Sequence, residues 1–392
     1  LPHARQRHLL VVTTNYAETH GGVEVHLERL LPLLVDRGVE ATVAYLGERG
    51  EPYTEPSGVH VIPVRRRFDF RDIMALPSWG DWREFSRLVA NGLPGRPPVT
   101  HVATHTRFFP LSWLGVRLAR QLRVPSVHTE HGGGFVVTAS PLVRTASRMV
   151  DRTMGRSVLR GADRVLGVSR ASNDFVRELS GVEAETFGNG LDLASWLPDA
   201  SAPDRDASSE PRPLVFIGRI VEEKGWRAFL DAAAAAEADG WRGETWLIGK
   251  GNERDTALER ARELGIRRLV APGQLPSEEV RDALRGAVYV NPSVAAEGFQ
   301  LTQVEALAAG ASLVTYEVGV ATELASTPGL AVSLIDRGDA SALSDAVRDE
   351  LDRPAPRPTF EQLARWDWGR LADAYVEVLD DVERASRRSP RP

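Results

Sequence analysis

The chain reads as an α/β protein built from two Rossmann-like, doubly wound domains, and three observations predict this. Short apolar runs alternate with amphipathic stretches, the pattern of parallel strands covered by helices on both faces. The alternation breaks once, over residues 197–213, in a segment rich in Pro, Ser, Ala and charge that has linker composition. It then resumes as a second series. The 392 residues suffice for roughly two to three average domains with substantial cores.

In the first series the run His8-Leu-Leu-Val-Val-Thr13 predicts a strand over 8–13, followed by a helix over 22–36 and strands over 40–45 and 59–64. Further strands are expected over 99–104, 126–129 and 164–169, with an amphipathic helix over 111–122. In the second series strands are expected over 214–217, 245–248, 269–271, 287–291, 311–315 and 330–333, with helices over 225–238, 254–264, 277–285 and from 301. A last helix over 360–384 carries Trp366-Asp-Trp368 and an apolar stripe. The expected domains are residues 1–190 and 214–359, joined by a linker over 191–213, with a last helical segment over 360–392. A ligand cleft is expected where the carboxyl ends of the two sheets face each other.

Composition excludes several classes. Apolar residues at 42% and charged residues at 26% are ordinary for a globular protein, and no apolar run approaches a spanning helix. The early apolar run is too short for a secretion signal, which predicts a cytoplasmic protein. With no cysteine, thiolate nucleophiles and Cys-ligated zinc are out. A net charge of -6 gives no footprint for nucleic acid. Among 48 basic residues only Lys224 and Lys250 are lysines, and both lie in Gly-bearing turns after strand-like runs. Against such an arginine bias, a retained lysine hints that a compact ammonium is wanted there.

The most informative stretch is Pro292 to Gly310, a strand, a Gly-containing loop and a helix, with Glu297 and Glu305 bracketing the helix start. The junction aims unpaired backbone N–H groups and a positive dipole end at the loop, which favours phosphate. Two carboxylates beside phosphate make sense as acceptors for sugar hydroxyls, ribose on one side and a hexose on the other. Arg219 and Lys224, on the loop after the 214–217 strand, could hold a pyrophosphate and neutralise charge as it leaves. Gly21 and Gly22 open the first helix, where backbone can approach a diphosphate, although no dinucleotide fingerprint is present. His131 follows a strand and precedes three glycines, which puts its ring at a cleft rim. His105 and His128 read as structural, and no cluster has metal-binding spacing. The cluster Arg65-Arg-Arg67 with Arg71, interleaved with Phe68 and Phe70, reads as a solvated loop, with an anionic acceptor or a membrane surface as the alternative.

With these pieces in place, the chain resembles the family 4 retaining glycosyltransferases of the GT-B fold. The resemblance rests on Gly21-Gly-Val-Glu24, the Pro-x-x-x-x-x-His-Gly pattern ending at His131, 161–169, 188–192, Gly218-Arg219 with Lys224-Gly225, and Gly249-Lys-Gly251. The Glu297 to Glu305 segment and 319–323 complete it. It implies that residues 1–190 bind the acceptor, that 214–359 bind a nucleotide sugar and that the helix of 360–392 crosses back to the first domain. It implies that Glu297 lies near the transferred sugar and that Glu305 holds the ribose hydroxyls. It also implies that Arg219 and Lys224 grip the diphosphate, helped by Gly22 and the N–H groups near Leu301 and Thr302, and that His131 faces donor sugar and acceptor. Gly21, Gly218, Gly249, Lys250, Gly298, Phe299 and Gln300 complete the implied donor site. Two departures stand out: Gln300 replaces a small residue after Glu-Gly-Phe, and Val320 replaces a second glycine. Both positions are expected to line the donor pocket.

The expected activity is retaining, metal-independent transfer of a hexosyl group from a UDP- or GDP-sugar. The acceptor would be a small molecule, a natural product or a lipid-linked cell-envelope compound, so peripheral membrane contact is compatible with the reading. The nucleotide sugar is a substrate, so no cofactor is expected, and the oligomeric state is left open. A sugar-nucleotide epimerase, a phosphorylase and an inactive nucleotide-binding partner are the alternatives.

Overall fold

The computed structural model describes residues 6–16, 21–48, 50–70, 74–135, 140–198 and 211–388. Residues 17–20 of the first glycine loop, Arg71 of the arginine cluster and 199–210 of the expected linker lie outside the described residues. The chain divides into two compact units, Leu1–Asn189 with Trp368–Pro392, and Gly190–Asp367.

The first unit carries β1 (Arg7–Thr13), β2 (Val39–Gly47), β3 (Tyr53–Thr54), β4 (His60–Phe70), β5 (Met74–Pro77), β6 (His101–His105), β7 (Ser126–Glu130), β8 (Arg164–Gly167) and β9 (Glu185–Thr186). They form one sheet in the order β3-β4-β2-β1-β6-β7-β8-β9, with β5 paired to β4 off this path. Leu9 and Val11 of β1 pack with Leu27, Leu30, Leu31 and Leu34 of the helix Gly22–Asp36. Leu10 and Val12 point the other way, into a cluster with Trp82, Phe85, Leu111 and Leu114. A strand buried on both faces has no polar side to show, which is why its sequence is one continuous apolar run. The edge departs from the parallel sheet expected from sequence, because β3 and β5 both run antiparallel to β4. Their connections to β4 are too short for the crossover that parallel pairing requires.

Helices Trp79–Asn91, Pro141–Val150, Arg170–Ser180 and Ala340–Leu351 were not anticipated. Each has a cap that a closer reading could have used: Ser78, Ser140, Ser169 and Asp339 accept a hydrogen bond from the backbone three residues on. The last helix also differs from expectation. It is a short helix Phe360–Leu363, a 3-10 turn Ala364–Trp366 and then a helix Trp368–Arg388. Extended backbone at Asp367 breaks it where the chain leaves the second unit for the first. Trp368, Leu371, Tyr375, Leu379 and Val382 then join the core beside β1. Arg7 donates two hydrogen bonds to Asp380, at 2.7 and 2.8 Å, and fastens the helix to the sheet.

The second unit holds β10 (Leu214–Ile217), β11 (Thr245–Ile248), β12 (Leu269–Gly273), β13 (Val288–Asn291), β14 (Ser312–Tyr316) and β15 (Val332–Ile335). All pairings are parallel, in the order β12-β11-β10-β13-β14-β15. The order reverses between β10 and β13, so the loops leaving these strands diverge and open a crevice at their carboxyl ends. In the first unit the same reversal falls between β1 and β6. Among the described residues no helix is long and apolar enough to cross a membrane.

Candidate active site

In the second unit, Lys224 ends a 3-10 turn, Glu222–Lys224, that is closed by Gly225 in the left-handed conformation with φ +75°. A Cβ on Gly225 would lie 2.0 Å from the Pro292 carbonyl oxygen, so only glycine lets the loops after β10 and β13 come this close. The N–H groups of Val294 and Ala295 donate to the Glu223 carbonyl at 2.9 and 3.2 Å, which stitches the two loops together. That stitching places Lys224 Nζ 2.5 Å from Glu297 Oε1. The pair keeps 18% and 26% of its side-chain surface in contact with solvent, enough for a ligand to reach. Arg219 is exposed on the same loop as Lys224, directly after Gly218. Gly218 and Gly249 serve each other: a Cβ on Gly249 would lie 1.9 Å from the Gly218 carbonyl oxygen. Lys250 is exposed at the tip of that neighbouring loop.

The helix Leu301–Ala308 begins without a side-chain cap, which leaves its first N–H groups at the crevice available to an anion. Gln300 precedes it with φ +61°, a left-handed backbone rare for a residue with a Cβ. The conformation is held by its own amide, whose oxygen accepts from Asn291 Nδ2 at 2.6 Å and Gln303 Nε2 at 2.7 Å. Gln300 therefore braces the turn from beneath, with its amide engaged in the buried Asn291, Gln303 and Thr315 cluster. Phe299 is buried and its carbonyl accepts from the N–H of Val320 at 2.9 Å, while a Cβ on Gly319 would lie 2.4 Å from that oxygen. Val320 is itself buried. Thr302 hydrogen-bonds Tyr289, and burial raises that phenol's pKa. Gly298 is half-buried between Glu297 and Phe299. Burial pushes the Glu305 carboxyl up to about 7. The two glutamates thus differ in kind, one set against an ammonium and the other desolvated.

In the first unit, Gly21 caps the helix Gly22–Asp36, again without a side-chain hydrogen bond. A Cβ on Gly21 would lie 2.4 Å from Glu24 Oε2, whereas one on Gly22 would meet nothing within 4 Å. Open backbone at a helix start is therefore found at Gly22. His131, after β7, is half-buried, and its Nε2 lies 3.0 Å from Nδ1 of His105. His26 packs edge-on to His131 with ring centroids 5.1 Å apart. Its Nδ1 donates to Asn189 Oδ1 at 2.9 Å, which leaves Nε2 as the lone-pair nitrogen. Burial lowers the His26 pKa to about 4 and, with the neighbouring imidazoles, holds His105 and His131 well below the usual value. The three rings are therefore neutral near pH 7. Each offers a ring nitrogen within 4.8 Å of the others, a donor set of the type that could hold a transition metal.

Beneath His131, Glu130 is fully buried and accepts from Gly132 N–H at 2.7 Å, from Arg107 N–H at 3.1 Å and from the Arg107 guanidinium at 2.7 Å. Burial alone would raise its pKa, but the Arg107 charge and the hydrogen bonds bring it down to about 2. Arg107 also donates to the Gly134 carbonyl at 3.1 Å and pairs with buried Asp151. The glycine loop after His131 is thus anchored at both ends by one buried ion network.

Residues 20–195 match the model of Glycosyltransferase Family 4, and residues 211–353 match that of glycosyl transferases group 1. The chain belongs to glycosyltransferase family 4. Over 399 residues this family 4 glycosyltransferase is 29% identical to a glycogen synthase of Mycobacterium tuberculosis, covering 95% of this chain and 94% of the relative. It is 27% identical over 409 residues to a D-inositol 3-phosphate glycosyltransferase of Mycolicibacterium smegmatis, covering 95% and 89%. Among solved structures, Anabaena HepE in complex with UDP has a TM-score of 0.69 at 17% identity, covering 96% of this chain and 100% of that one. The glycosyltransferase has the GT-B fold of such neighbours.

Of the glycosyltransferase residues singled out from sequence, the second unit brings Gly218, Arg219, Lys224, Glu297, Leu301, Thr302 and Glu305 to the crevice beside β10 and β13. In the first unit Gly22 opens the helix that follows β1 in the chain, and His131 directly follows β7. Sequence reasoning missed His26, Arg107 and Glu130, and it treated His105 as structural although that residue bonds His131. His26 lies four residues after Gly22 on the same helix, so the helical repeat could have pointed to it. Nothing local marks Arg107 and Glu130 as partners, because 23 residues separate them.

Proposed function

We propose that the enzyme moves a hexosyl group from a UDP- or GDP-sugar to a hydroxyl of a small-molecule, natural-product or cell-envelope acceptor, with retention of configuration. The observation that carries the proposal is Lys224 held against Glu297 beside an uncapped helix start. An ammonium and free N–H groups suit a diphosphate, and a carboxylate at hydrogen-bonding range of that ammonium suits the hydroxyls of the sugar attached to it.

In the proposed reaction the bond from the anomeric carbon to the diphosphate oxygen breaks as the acceptor oxygen bonds to the same face of that carbon. The acceptor's proton passes to the departing phosphate oxygen, leaving a nucleoside diphosphate. Arg219 and Lys224 stabilise the charge that grows on this leaving group, which is how the chain's own cations take the role a metal has elsewhere. Glu305 accepts from the ribose hydroxyls, and neutral His131 faces the sugar and the acceptor. Relatives that include a D-inositol 3-phosphate glycosyltransferase and a 2-deoxystreptamine N-acetyl-D-glucosaminyltransferase support a polyhydroxylated ring as acceptor.

The test is transfer from UDP- and GDP-sugars to a panel of such acceptors, with the anomeric configuration of the product read by NMR. Retention is expected, and Arg219→Ala and Lys224→Ala should each lower turnover far more than thermal stability. Inverted product, or near wild-type turnover in both variants, would sink the reading.

A further inference from the structure

The helix Pro141–Val150 continues through a π turn, Asp151–Gly155, into the helix Arg156–Gly161. In Pro141–Val150 only Ser147 is buried, so most of this helix faces solvent. Leu142 is 81% exposed and Met149 65% exposed. Seven residues are about two helical turns, so the two side chains share one ridge. Residues of this type scattered singly on a surface are ordinary, but an apolar ridge on an otherwise unpacked helix is not.

Arg144, Arg148, Arg152 and Arg156, all exposed and spaced by four, run along one side of the helix, with Arg148 about 110° around the axis from that ridge. A step of four overshoots an α turn by about 40°, so such a ladder spirals around a regular helix. The π turn closes more slowly and offsets that drift in the middle of the ladder. Exposed arginines elsewhere, such as Arg177, Arg348 and Arg384, pair with acids on their own helix. Among the described residues the four ladder arginines pair with none. Asp151, the one acid in residues 141–161, is turned inward onto Arg107. Arg148 and Arg152 lie over the Phe135 ring at 5.4 and 6.0 Å, a contact that leaves their charge in place. On a chain of net charge -6, this is a local cationic face beside an apolar ridge.

We propose that residues 141–156 dock the enzyme on the interface of a bilayer containing anionic phospholipid. The ridge would lie at the boundary of headgroups and acyl chains while the arginines meet lipid phosphates, which satisfies both features at once. A nucleic acid or another polyanion would take the arginines and leave Leu142 and Met149 in water. None of these residues belongs to the donor site, so the proposal stands apart from the reaction assigned above.

The test is co-sedimentation of the full chain with vesicles of phosphatidylcholine alone and of phosphatidylcholine mixed with phosphatidylglycerol. Binding is expected only to the mixed vesicles and should weaken with salt. Arg144→Gln with Arg148→Gln should lower partitioning about 25-fold, at about fivefold per lost cation. Leu142→Ser with Met149→Ser should also release the protein although its charge is unchanged. All four sites are exposed, and unchanged melting temperatures would show that both variants fold. Absence of binding to mixed vesicles, or binding that survives either double variant, would overturn the proposal. So would vesicle binding lost together with equally salt-sensitive heparin binding in the arginine variant while the Leu142, Met149 variant behaves as wild type.

Discussion

Lys224 and Glu297 meet at 2.5 Å although 73 residues separate them in the chain, because one carbonyl, that of Glu223, ties their loops together. The ion pair is a by-product of loop packing, and this separates its part in stability from its part in chemistry.

Lys224→Met should therefore cost under about 1 kcal/mol of stability, since a partly solvated pair contributes little. Its turnover should fall about a hundredfold or more, the usual loss when a charge that stabilises a leaving group is removed. Glu297→Gln combined with Lys224→Met should melt close to the single variants. A large drop in melting temperature with preserved turnover would make the pair structural instead.

Glu305 predicts a pH dependence of donor binding. Its carboxyl titrates at about 7 in the free protein, raised by burial from 4.5. Ribose hydroxyls that donate to the ionised form would lower that value, so binding should release a proton. Affinity should rise as pH climbs toward about 7 and level off above it. Calorimetry of nucleoside diphosphate binding in buffers of different ionisation enthalpy measures the proton directly, and Glu305→Gln should abolish it. A pH-independent affinity in the wild type would contradict the ribose assignment.

The Glu130 network predicts acid sensitivity. Its pKa is held at about 2 against an ordinary 4.5, so its stabilising contribution is present above about 4.5 and lost as pH falls toward 2. Glu130→Gln leaves the buried Arg107 short of charge and should cost about 3 kcal/mol near neutral pH. The gap between wild type and variant should narrow as pH falls, measured by thermal melts from neutral to acid. A constant gap across that range would show that the carboxylate charge is not what matters.

Much of the fold was legible because it rests on local pattern. The helix Gly22–Asp36 and the core of both sheets follow from runs such as Leu9 to Val12, where burial on both faces leaves an unmistakable apolar signature. The crevice residues of the second unit were legible for a related reason, since cations, glycines and a helix start concentrate within two short loops. What was hidden depends on distant partners. His105 bonds His131 only because β6 and β7 are neighbours. The break at Asp367 answers to a change of unit, which no helical propensity records. Gln300 was expected to line the donor pocket, but nothing local announced that its amide oxygen accepts from Asn291 and Gln303.

The helix Trp368–Arg388 carries a consequence for the order in which a ribosome can finish this protein. The second unit, Gly190–Asp367, is one uninterrupted stretch and can complete its sheet while synthesis continues. The first unit cannot, because Trp368, Leu371, Tyr375 and Leu379 of its core are translated only after the whole of the second. The segment made first is therefore the one that closes last, and until it does the apolar surface beside β1 stands open to chaperones.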